Sequence, residues 1–264
     1  MSQRLLIAQR AARAAGKILL AKLRDTRAIH YKGKRDIVTD ADYAAERIIQ
    51  QTIRARFPND RFVSEEGDAA EHQRLWTQAD TDDALALWIV DPLDGTTNYS
   101  RTLPTFCTSI ALYRAGHVQI GVVYDPITRQ LYSAERGKGA FLNGKPIHVS
   151  AVRSLEAAVF GAEWARAPHA RRRACAILAR ILPRVMTGRI FGSAALSLCH
   201  VAAGRMDGYM HLSLAPWDVA AAALIVEQAG GKITTPRGDA WSVHSKEYVA
   251  SNGHLHNILL RYFR

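Results

Sequence analysis

The chain has 264 residues, 48% of them hydrophobic, which is enough for one large domain or two small ones with a buried core. Lys and Arg outnumber Asp and Glu by 35 to 24, which gives a formal net charge of +11. No apolar stretch approaches the ~20 residues of a membrane-spanning helix. The three cysteines have no metal-ligand spacing, so we expect buried thiols and a reducing compartment, the cytoplasm.

The first 24 residues form a basic segment without Asp or Glu, and their apolar residues recur at helical spacing. This pattern is typical of an organelle transit peptide or of an integral amphipathic helix. Asp36, Asp40 and Asp42 then precede a helical pattern over residues 44–57. In that position Asp40 would be the helix N-cap and Asp42 a first-turn acid.

Two apolar runs end in acidic residues. Residues 62–67, FVSEEG, are typical of a short strand that ends at Glu65, or of a solvated loop. Residues 85–90 run directly into the sequence DPLD, which contains Asp91 and Asp94. This second pattern predicts a buried strand that delivers two carboxylates to its C-terminal end, with a sharp turn at the intervening proline.

Residues 95–97, Gly-Thr-Thr, follow directly, and their N–H groups and hydroxyls suit a helix start that holds an anion. Asp91 and Asp94 would repel a phosphate there unless a cation lay between them. A hard divalent metal such as Mg²⁺, bound by oxygen ligands, resolves this conflict. The alternative is an Asp-rich surface turn that caps a helix, since Asp-Pro and Asp-Gly are common turn dipeptides.

The pattern then changes to strands over residues 105–114, 117–124 and 130–135, and Asn143-Gly144 marks a tight hairpin. From about residue 156, strands alternate with helices up to a final pair over 248–263. This change indicates an α+β first half and an α/β second half.

One helix of the second half has clear boundaries, because Pro216 fits its first turn and Gly230-Gly231 its end. Asp218 lies in its first turn. There it could simply complement the helix dipole, a contribution of roughly 0.3–1 kcal/mol.

A second basic stretch precedes this helix and consists of Arg166, Arg171, Arg172, Arg173, Arg180, Arg184 and Arg189. We expect residues 171–173 to form a solvated helix face, or else to steer phosphates or nucleic acid. No aromatic platform or nucleic-acid motif accompanies them.

The four acidic segments together resemble the inositol monophosphatase family of Mg²⁺-dependent phosphatases. The resemblance runs from Asp36 to Gly231, and its most specific motifs are DPLDGTTNY and WDVAAAALIVEQAGG. It implies a layered αβαβα sandwich of the inositol monophosphatase and fructose-1,6-bisphosphatase type. The chain would then be one domain with two lobes, an α+β lobe over about 1–150 and an α/β lobe over about 151–264. Because the family opens with a helix, the basic N-terminal segment is expected to be integral.

The resemblance also implies roles for individual residues. The metal ligands would be the side chains of Glu65, Asp91, Asp94 and Asp218 and the backbone carbonyl of Leu93. Catalysis would depend on Glu65, and on Thr96 hydrogen-bonded to Asp42, a pair that aims the attacking water. The amides of residues 95–97 would hold the phosphate.

Substrate contacts are expected from Leu93, Asp94, Gly95, Thr96, Arg189, Gly192, Ser193, Ala194, His211 and Asp218. Ser193 could equally be a helix N-cap, and Arg189 a surface cation. Inositol-preferring relatives have a Glu seven residues before the position of Asp218, where this chain has His211. Since neutral histidine offers one acceptor instead of several, we expect a broader or more anionic substrate than inositol 1-phosphate alone.

The leading hypothesis is a lithium-sensitive phosphomonoesterase that acts on inositol 1-phosphate or a similar polyol or sugar phosphate. Its ligand would be a small phosphorylated metabolite, and the protein would form a homodimer. The first alternative acts on fructose bisphosphate, histidinol phosphate or a 3′-phosphoadenosine nucleotide. The second is a basic RNA- or ribonucleoprotein-binding module, supported by the net charge. The intact set of acids argues against it, and no membrane partner is expected.

Overall fold

The computed structural model describes residues 1–23, 29–33, 36–165 and 167–263. Arg24, Arg166 and the side chain of Asp36, which the sequence singled out, lie outside the described residues and side chains. The helices are α1 (Gln3–Lys22), α2 (Asp40–Arg54), α3 (Ala69–Thr81), α4 (Thr96–Ser100), α5 (Pro168–Ile181), α6 (Ala194–Ala202), α7 (Pro216–Gln228) and α8 (His256–Leu260). The strands are β1 (Ile29–Gly33), β2 (Asp36–Thr39), β3 (Arg61–Ser64), β4 (Leu87–Asp94), β5 (Cys107–Arg114), β6 (His117–Asp125), β7 (Gln130–Glu135), β8 (Ala140–Leu142), β9 (Lys145–Ile147), β10 (Val159–Ala162), β11 (Thr187–Arg189), β12 (Gly208–His211), β13 (Lys232–Thr234) and β14 (Tyr248–Ser251).

Two large sheets and three helical layers alternate through the molecule, and β1 and β2 form a separate two-stranded antiparallel sheet. Helices α1 and α2 cover one face of a seven-stranded sheet with the order β3-β4-β5-β6-β7-β8-β9. Helices α6 and α7 lie between this sheet and a five-stranded sheet with the order β11-β10-β12-β14-β13. Helices α5 and α8 pack on the outer face of the second sheet. The predicted αβαβα sandwich is therefore confirmed, and no helix among the described residues is long and apolar enough to cross a membrane.

Strand β4 shows how the apolar pattern builds these layers. All eight of its residues are buried, and they alternate between the two faces of the sheet. Trp88 and Val90 belong to the core beneath α1 and α2, whereas Leu87 and Ile89 belong to the core beneath α6 and α7. By the same alternation, Asp91 faces the α6–α7 layer.

The predicted sharp turn within the DPLD sequence is wrong. Strand β4 continues to Asp94, and its pairing with β5 shifts register between Asp91 and Asp94. Such a bulge tolerates a proline, because the residue there need not donate a ladder hydrogen bond. The carbonyl of Pro92 accepts a hydrogen bond from the Thr108 hydroxyl at 3.0 Å.

The N-terminal basic segment is an integral helix, as expected, and α1 buries a face of mostly small residues against α2 and β6. The Asn143-Gly144 hairpin joins β8 to β9 with positive φ angles of 49° and 80°, as a tight primed turn requires. The cap of α2 is Thr39 and not Asp40, because the Thr39 hydroxyl accepts the Ala41 N–H.

The three cysteines are free, but they are not all buried as predicted. Cys107 and Cys199 are buried in the core between the two sheets, whereas Cys175 is exposed on α5. The buried face of α5 consists of residues 170, 174, 177, 178 and 181. Residue 175 lies off this face, so its side chain points to solvent.

Candidate active site

A single cavity of about 1050 Å³ collects most of the predicted site residues from both halves of the chain. Its lining includes Glu65, Asp91, Leu93, Asp94, Gly95, Thr96, Gly192, Ala194, His211 and Asp218. Four acids from three segments that are far apart in sequence thus share one cavity. Asp42, Ser193 and Arg189 do not line it.

Parallel pairing of β3 with β4 brings the first two acids together. Ser64 pairs with Val90, so Glu65 and Asp91, the next residue of each strand, emerge at the same sheet edge. The Glu65 N–H donates to the Val90 carbonyl at 3.2 Å and fixes this alignment.

Asp94 is held by the start of α6, in the second half of the chain. One of its carboxylate oxygens accepts the Ser193 hydroxyl at 2.6 Å and the Ala195 N–H at 2.8 Å. The same hydroxyl of Ser193 caps α6 by accepting the Leu196 N–H. The helix-cap alternative for Ser193 is therefore confirmed, while its expected contact with substrate stays a prediction.

Asp218 approaches the other acids from the first turn of α7. Its Oδ2 accepts the Ala215 N–H at 2.8 Å, so it also performs the capping role that the sequence left open. The start of this helix is tied to the sheet, since the Ser109 hydroxyl donates to the Trp217 carbonyl at 3.1 Å. Ser109 is the β5 partner of Asp91, which places α7 against the acidic end of β4.

Burial and the repulsion of neighbouring acids make Asp91 and Asp94 weaker acids than usual. Burial raises the pKa of Asp91 well above its usual range, and the neighbouring Glu65, Asp94 and Asp218 raise it further. Burial also raises the pKa of Asp94 to about 6, although its bond from Ser193 opposes this effect. Among the described residues, no Lys or Arg forms an ion pair with Asp91 or Asp94.

The chemistry of these donors fits a hard divalent cation. Carboxylate and carbonyl oxygens are the ligands that Mg²⁺ and Ca²⁺ use in proteins, and a cation would offset the repulsion among the buried acids. Within the described part of the chain, no three His, Cys, Asp or Glu side chains are already arranged to hold a metal. Asp91, Asp94 and Asp218 each accept a hydrogen bond from a backbone N–H group on one carboxylate oxygen.

The expected hydrogen bond between Thr96 and Asp42 is not formed. The Thr96 hydroxyl donates to the Leu93 carbonyl at 3.0 Å instead. Asp42 accepts the N–H and hydroxyl of Thr39 on Oδ2, at 2.8 and 2.6 Å, while its Oδ1 is buried without a hydrogen-bond partner among the described residues. Burial raises the pKa of Asp42 to about 6, and the charge of Glu65 contributes to this rise.

Arg189 also departs from its predicted place in the substrate site. It ends the edge strand β11 and is exposed, and its guanidinium donates to the Thr187 hydroxyl and the Gly188 carbonyl. The alternative of a surface cation fits this position. Gly192 and Ala194, from the same predicted stretch, do line the cavity.

Glu163 lines the cavity too, and it was not among the predicted site residues. Its carboxylate accepts the N–H groups of Phe191 and Gly192 at 3.0 and 2.9 Å and the Ser197 hydroxyl at 3.0 Å. Burial raises its pKa to about 7. The signal was present in the sequence, because β10 is another apolar run that is followed directly by an acid.

The chain is similar to known proteins over its whole length. The whole chain, residues 1–264, matches the inositol monophosphatase family. It is 39% identical to inositol monophosphatase 3 of Solanum lycopersicum, over 97% of this chain and 94% of the relative. It is 37% identical to the Nus factor SuhB of Vibrio cholerae, over 98% and 94%.

Two solved structures share the fold over nearly their full lengths. The extragenic suppressor protein suhB from Bartonella henselae superposes with a TM-score of 0.91 at 36% identity, covering 100% of this chain and 99% of that one. An IMPase from Thermotoga maritima gives a TM-score of 0.88 at 34% identity, covering 99% and 97%. The chain therefore belongs to the inositol monophosphatase family, whose members are metal-dependent phosphatases that act on small phosphorylated compounds.

Proposed function

We propose that this protein hydrolyses a phosphate monoester with the help of Mg²⁺, and that inositol 1-phosphate or a similar polyol or sugar phosphate is the substrate. The observation that carries the proposal is the shared cavity, which is lined by Glu65, Asp91, Asp94 and Asp218 together with residues 95–97. Buried carboxylates that raise one another's pKa are a poor phosphate site alone and a good one with a cation between them.

The acids named above, together with the Leu93 carbonyl, would hold the cation. When bound, Mg²⁺ supplies positive charge that lowers the pKa of water and stabilises the developing charge on the phosphoryl and leaving oxygens. The N–H groups of residues 95–97 would hold the phosphate, and Thr96 and Asp42 would orient the water. In the reaction a water oxygen bonds to phosphorus, the ester P–O bond breaks, and a proton passes to the departing oxygen.

The leaving group would lie against Gly192, Ala194 and His211. The Nδ1 atom of His211 accepts the Ser213 N–H at 3.0 Å, so a neutral ring carries its proton on Nε2. A donor at this position suits a leaving group with an acceptor, in contrast to the Glu of inositol-preferring relatives. Changing His211→Glu should therefore shift the ranking across a panel of phosphate monoesters toward inositol 1-phosphate.

The central test replaces Asp91 with Asn and measures phosphate release from a metabolite panel with Mg²⁺ and after addition of chelator. We expect the wild-type protein to lose activity in chelator, and Asp91→Asn to have no metal-dependent turnover. The variant should nevertheless fold, and in chelator it should lose less stability than the wild type as pH rises, because an asparagine does not titrate. Asp83→Asn, at an exposed position, is the matched control. Near-wild-type turnover by Asp91→Asn would sink the proposal.

A second candidate function is binding within a transcription complex. It is favoured by the similarity to proteins named Nus factor SuhB and by the net charge of +11. A filter-binding titration against RNA at several salt concentrations tests it, because contacts to the phosphate backbone weaken steeply with ionic strength. Affinity that does not change with salt, or no binding at low salt, would argue against this function.

The cytoplasm and the homodimer belong to the same proposal. The three free cysteines fit a reducing compartment. Light scattering coupled to gel filtration measures the assembly, and a mass near the 29.2 kDa of one chain would refute the dimer.

A further inference from the structure

We propose that a second cavity, at the opposite end of the seven-stranded sheet from the acids, binds a small molecule in which an anionic group is attached to an apolar ring. Arg114 and Arg136 would bind the anionic group, and an apolar floor would hold the ring. The proposal does not depend on the phosphatase reaction, because no described residue lines both cavities.

The second cavity is separated from the acids by the length of the sheet. It lies between the start of α1, the end of β5, the start of β6 and the end of β7. Tyr113, next to Arg114, pairs with Leu87 at the start of β4, whereas Asp94 pairs with Cys107 at the other end. Because β4 has eight residues, these two ends are roughly 24 Å apart.

The first observation is that two arginines of this cavity have terminal amino groups that can bind a ligand. Arg114 is exposed, and its Nε donates to the Asp83 carbonyl at 3.1 Å. Among the described residues it forms no ion pair. The Nε of Arg136 donates to the Val118 carbonyl at 2.8 Å, and its Nη2 lies 3.6 Å from the Glu227 carboxylate, which is too far for a hydrogen bond. Backbone carbonyls thus orient both guanidinium groups, and a guanidinium has further N–H donors for an anion.

The other charged groups of the cavity have partners. Arg4 pairs with the Asp60 carboxylate at 2.9 Å. Glu135 accepts the Lys138 ammonium group at 2.7 Å and the Ser2 N–H at 3.1 Å. Since the one acid that lines the cavity is neutralised in this way, Arg114 and Arg136 leave an excess of positive charge there.

The second observation is the apolar floor of the cavity. Leu112 and Ile120 line it, and each is only 3% exposed, because both belong to the core beneath α1 and α2. Phe57 packs against the same core, and the guanidinium carbon of Arg4 lies 4.5 Å from the centre of its ring. An inorganic anion would leave this apolar surface in water, whereas an anion on an apolar ring would cover it.

The third observation is the size of the cavity. Its volume of about 370 Å³ is near the lower end of the range for ligand pockets, roughly 300–1000 Å³. This volume suits a ligand with one ring and one anionic group. Either a phosphate or a carboxylate can accept N–H bonds from two arginines, and the experiment separates these two sources.

The experiment measures binding by calorimetry in chelator, so that no cation holds an anion among the acids. The probes are phenylphosphonate, whose C–P bond is not a phosphate ester, and benzoate. Inorganic phosphate and benzyl alcohol are the controls for the anion alone and the ring alone. We expect at least one ring anion to bind with a Kd of about 1 mM or below, and both controls to bind at least about tenfold more weakly. The tighter ring anion identifies the anionic group.

The variants Arg114→Gln and Arg136→Gln should each raise the Kd of that probe by about tenfold, because each removes charge-assisted hydrogen bonds. Both side chains lie at the surface, so the variants should fold, and their melting temperatures check this. Arg237→Gln, at an exposed position outside the cavity, is the matched control and should leave the Kd unchanged. The wild-type affinity should also fall as salt rises, because exposed charges are screened.

Three results would overturn the proposal. The first is the absence of binding by both ring anions. The second is equal affinity for a ring anion and for inorganic phosphate, which would show that the apolar floor does not contribute. The third is an unchanged Kd in Arg114→Gln and Arg136→Gln, which would place the probe elsewhere on the molecule. None of these results bears on the phosphatase proposal, which the Asp91→Asn variant tests separately.

Discussion

The pKa of Glu163 leads to a sharp prediction about how stability depends on pH. Its carboxylate is the acceptor for three donors, the N–H groups of Phe191 and Gly192 and the hydroxyl of Ser197. These bonds favour the charged form, but burial opposes them more strongly and raises the pKa from 4.5 to about 7. The substitution Glu163→Gln removes this titration while it keeps the shape of the side chain.

The direction follows from proton linkage. Between pH 4.5 and 7 the folded protein holds a proton on Glu163 that the unfolded chain has released, so the free energy of unfolding falls as pH rises through this window. Integrated from pH 5 to pH 8, the loss from this one group is about 2–3 kcal/mol. The variant has no such loss. Any cost of placing an amide NH₂ group against one of the three donors is independent of pH and cancels from the difference.

The assay is urea unfolding of wild type and Glu163→Gln at pH 5, 6, 7 and 8 in chelator, because a bound cation would shift the titration of the nearby acids. The stability of the variant relative to the wild type should increase by about 2–3 kcal/mol from pH 5 to pH 8. Glu156→Gln, at an exposed position, should show no pH-dependent difference. A difference that stays flat for Glu163→Gln, or that decreases with pH, would refute the reasoning.

Two further substitutions test contacts that position the site. Ser193→Ala removes both the α6 cap and the hydroxyl bond to Asp94. It should lower the free energy of unfolding in urea by about 2 kcal/mol and raise the Mg²⁺ concentration needed for half-maximal activity. The control is Ser154→Ala, which should do neither, because the Ser154 side chain makes no cap bond. Gly121→Ala would place a Cβ 2.3 Å from the Ala221 carbonyl oxygen of α7. The free energy of unfolding, measured in urea, should fall by about 3 kcal/mol. An unchanged midpoint of urea unfolding would contradict the close packing of β6 on α7.

The sequence was sufficient to predict the parts of the fold that have strong periodic patterns. The bounds of α7 follow from Pro216 and the double glycine, and β4 follows from its continuous apolar run. The convergence of Glu65 with Asp91 follows from the rule that neighbouring parallel strands end at the same sheet edge. These inferences needed only local chemistry and one topological rule.

Other features depend on tertiary contacts that no local pattern encodes. Helix α3 was missed because only Leu75, Trp76 and Ala79 of its residues are buried, which leaves a polar sequence typical of a loop. The partners of Asp94 are 99 and 101 residues away along the chain. Which cations line the cavity likewise depends on how α5 is oriented, and three consecutive arginines at 171–173 gave no sign that only Arg171 of the three would line it.

The balance of forces within the site links cation binding to folding. Asp91 and Asp94 accept hydrogen bonds from the N–H groups of Leu93 and Ala195, at 3.0 and 2.8 Å, and these bonds stabilise their charged forms. Burial and mutual repulsion oppose the charged forms, and the raised pKa values mean that this second effect is larger. The cation-free protein therefore loses stability as pH rises above 3.8, the ordinary pKa of these groups, because ionising them costs more in the folded protein than in the unfolded chain. A cation bound as we propose would reverse that loss, because it stabilises only the folded arrangement of the charged acids. The same cluster that would make the site reactive should thus make the protein's melting temperature rise with Mg²⁺ concentration.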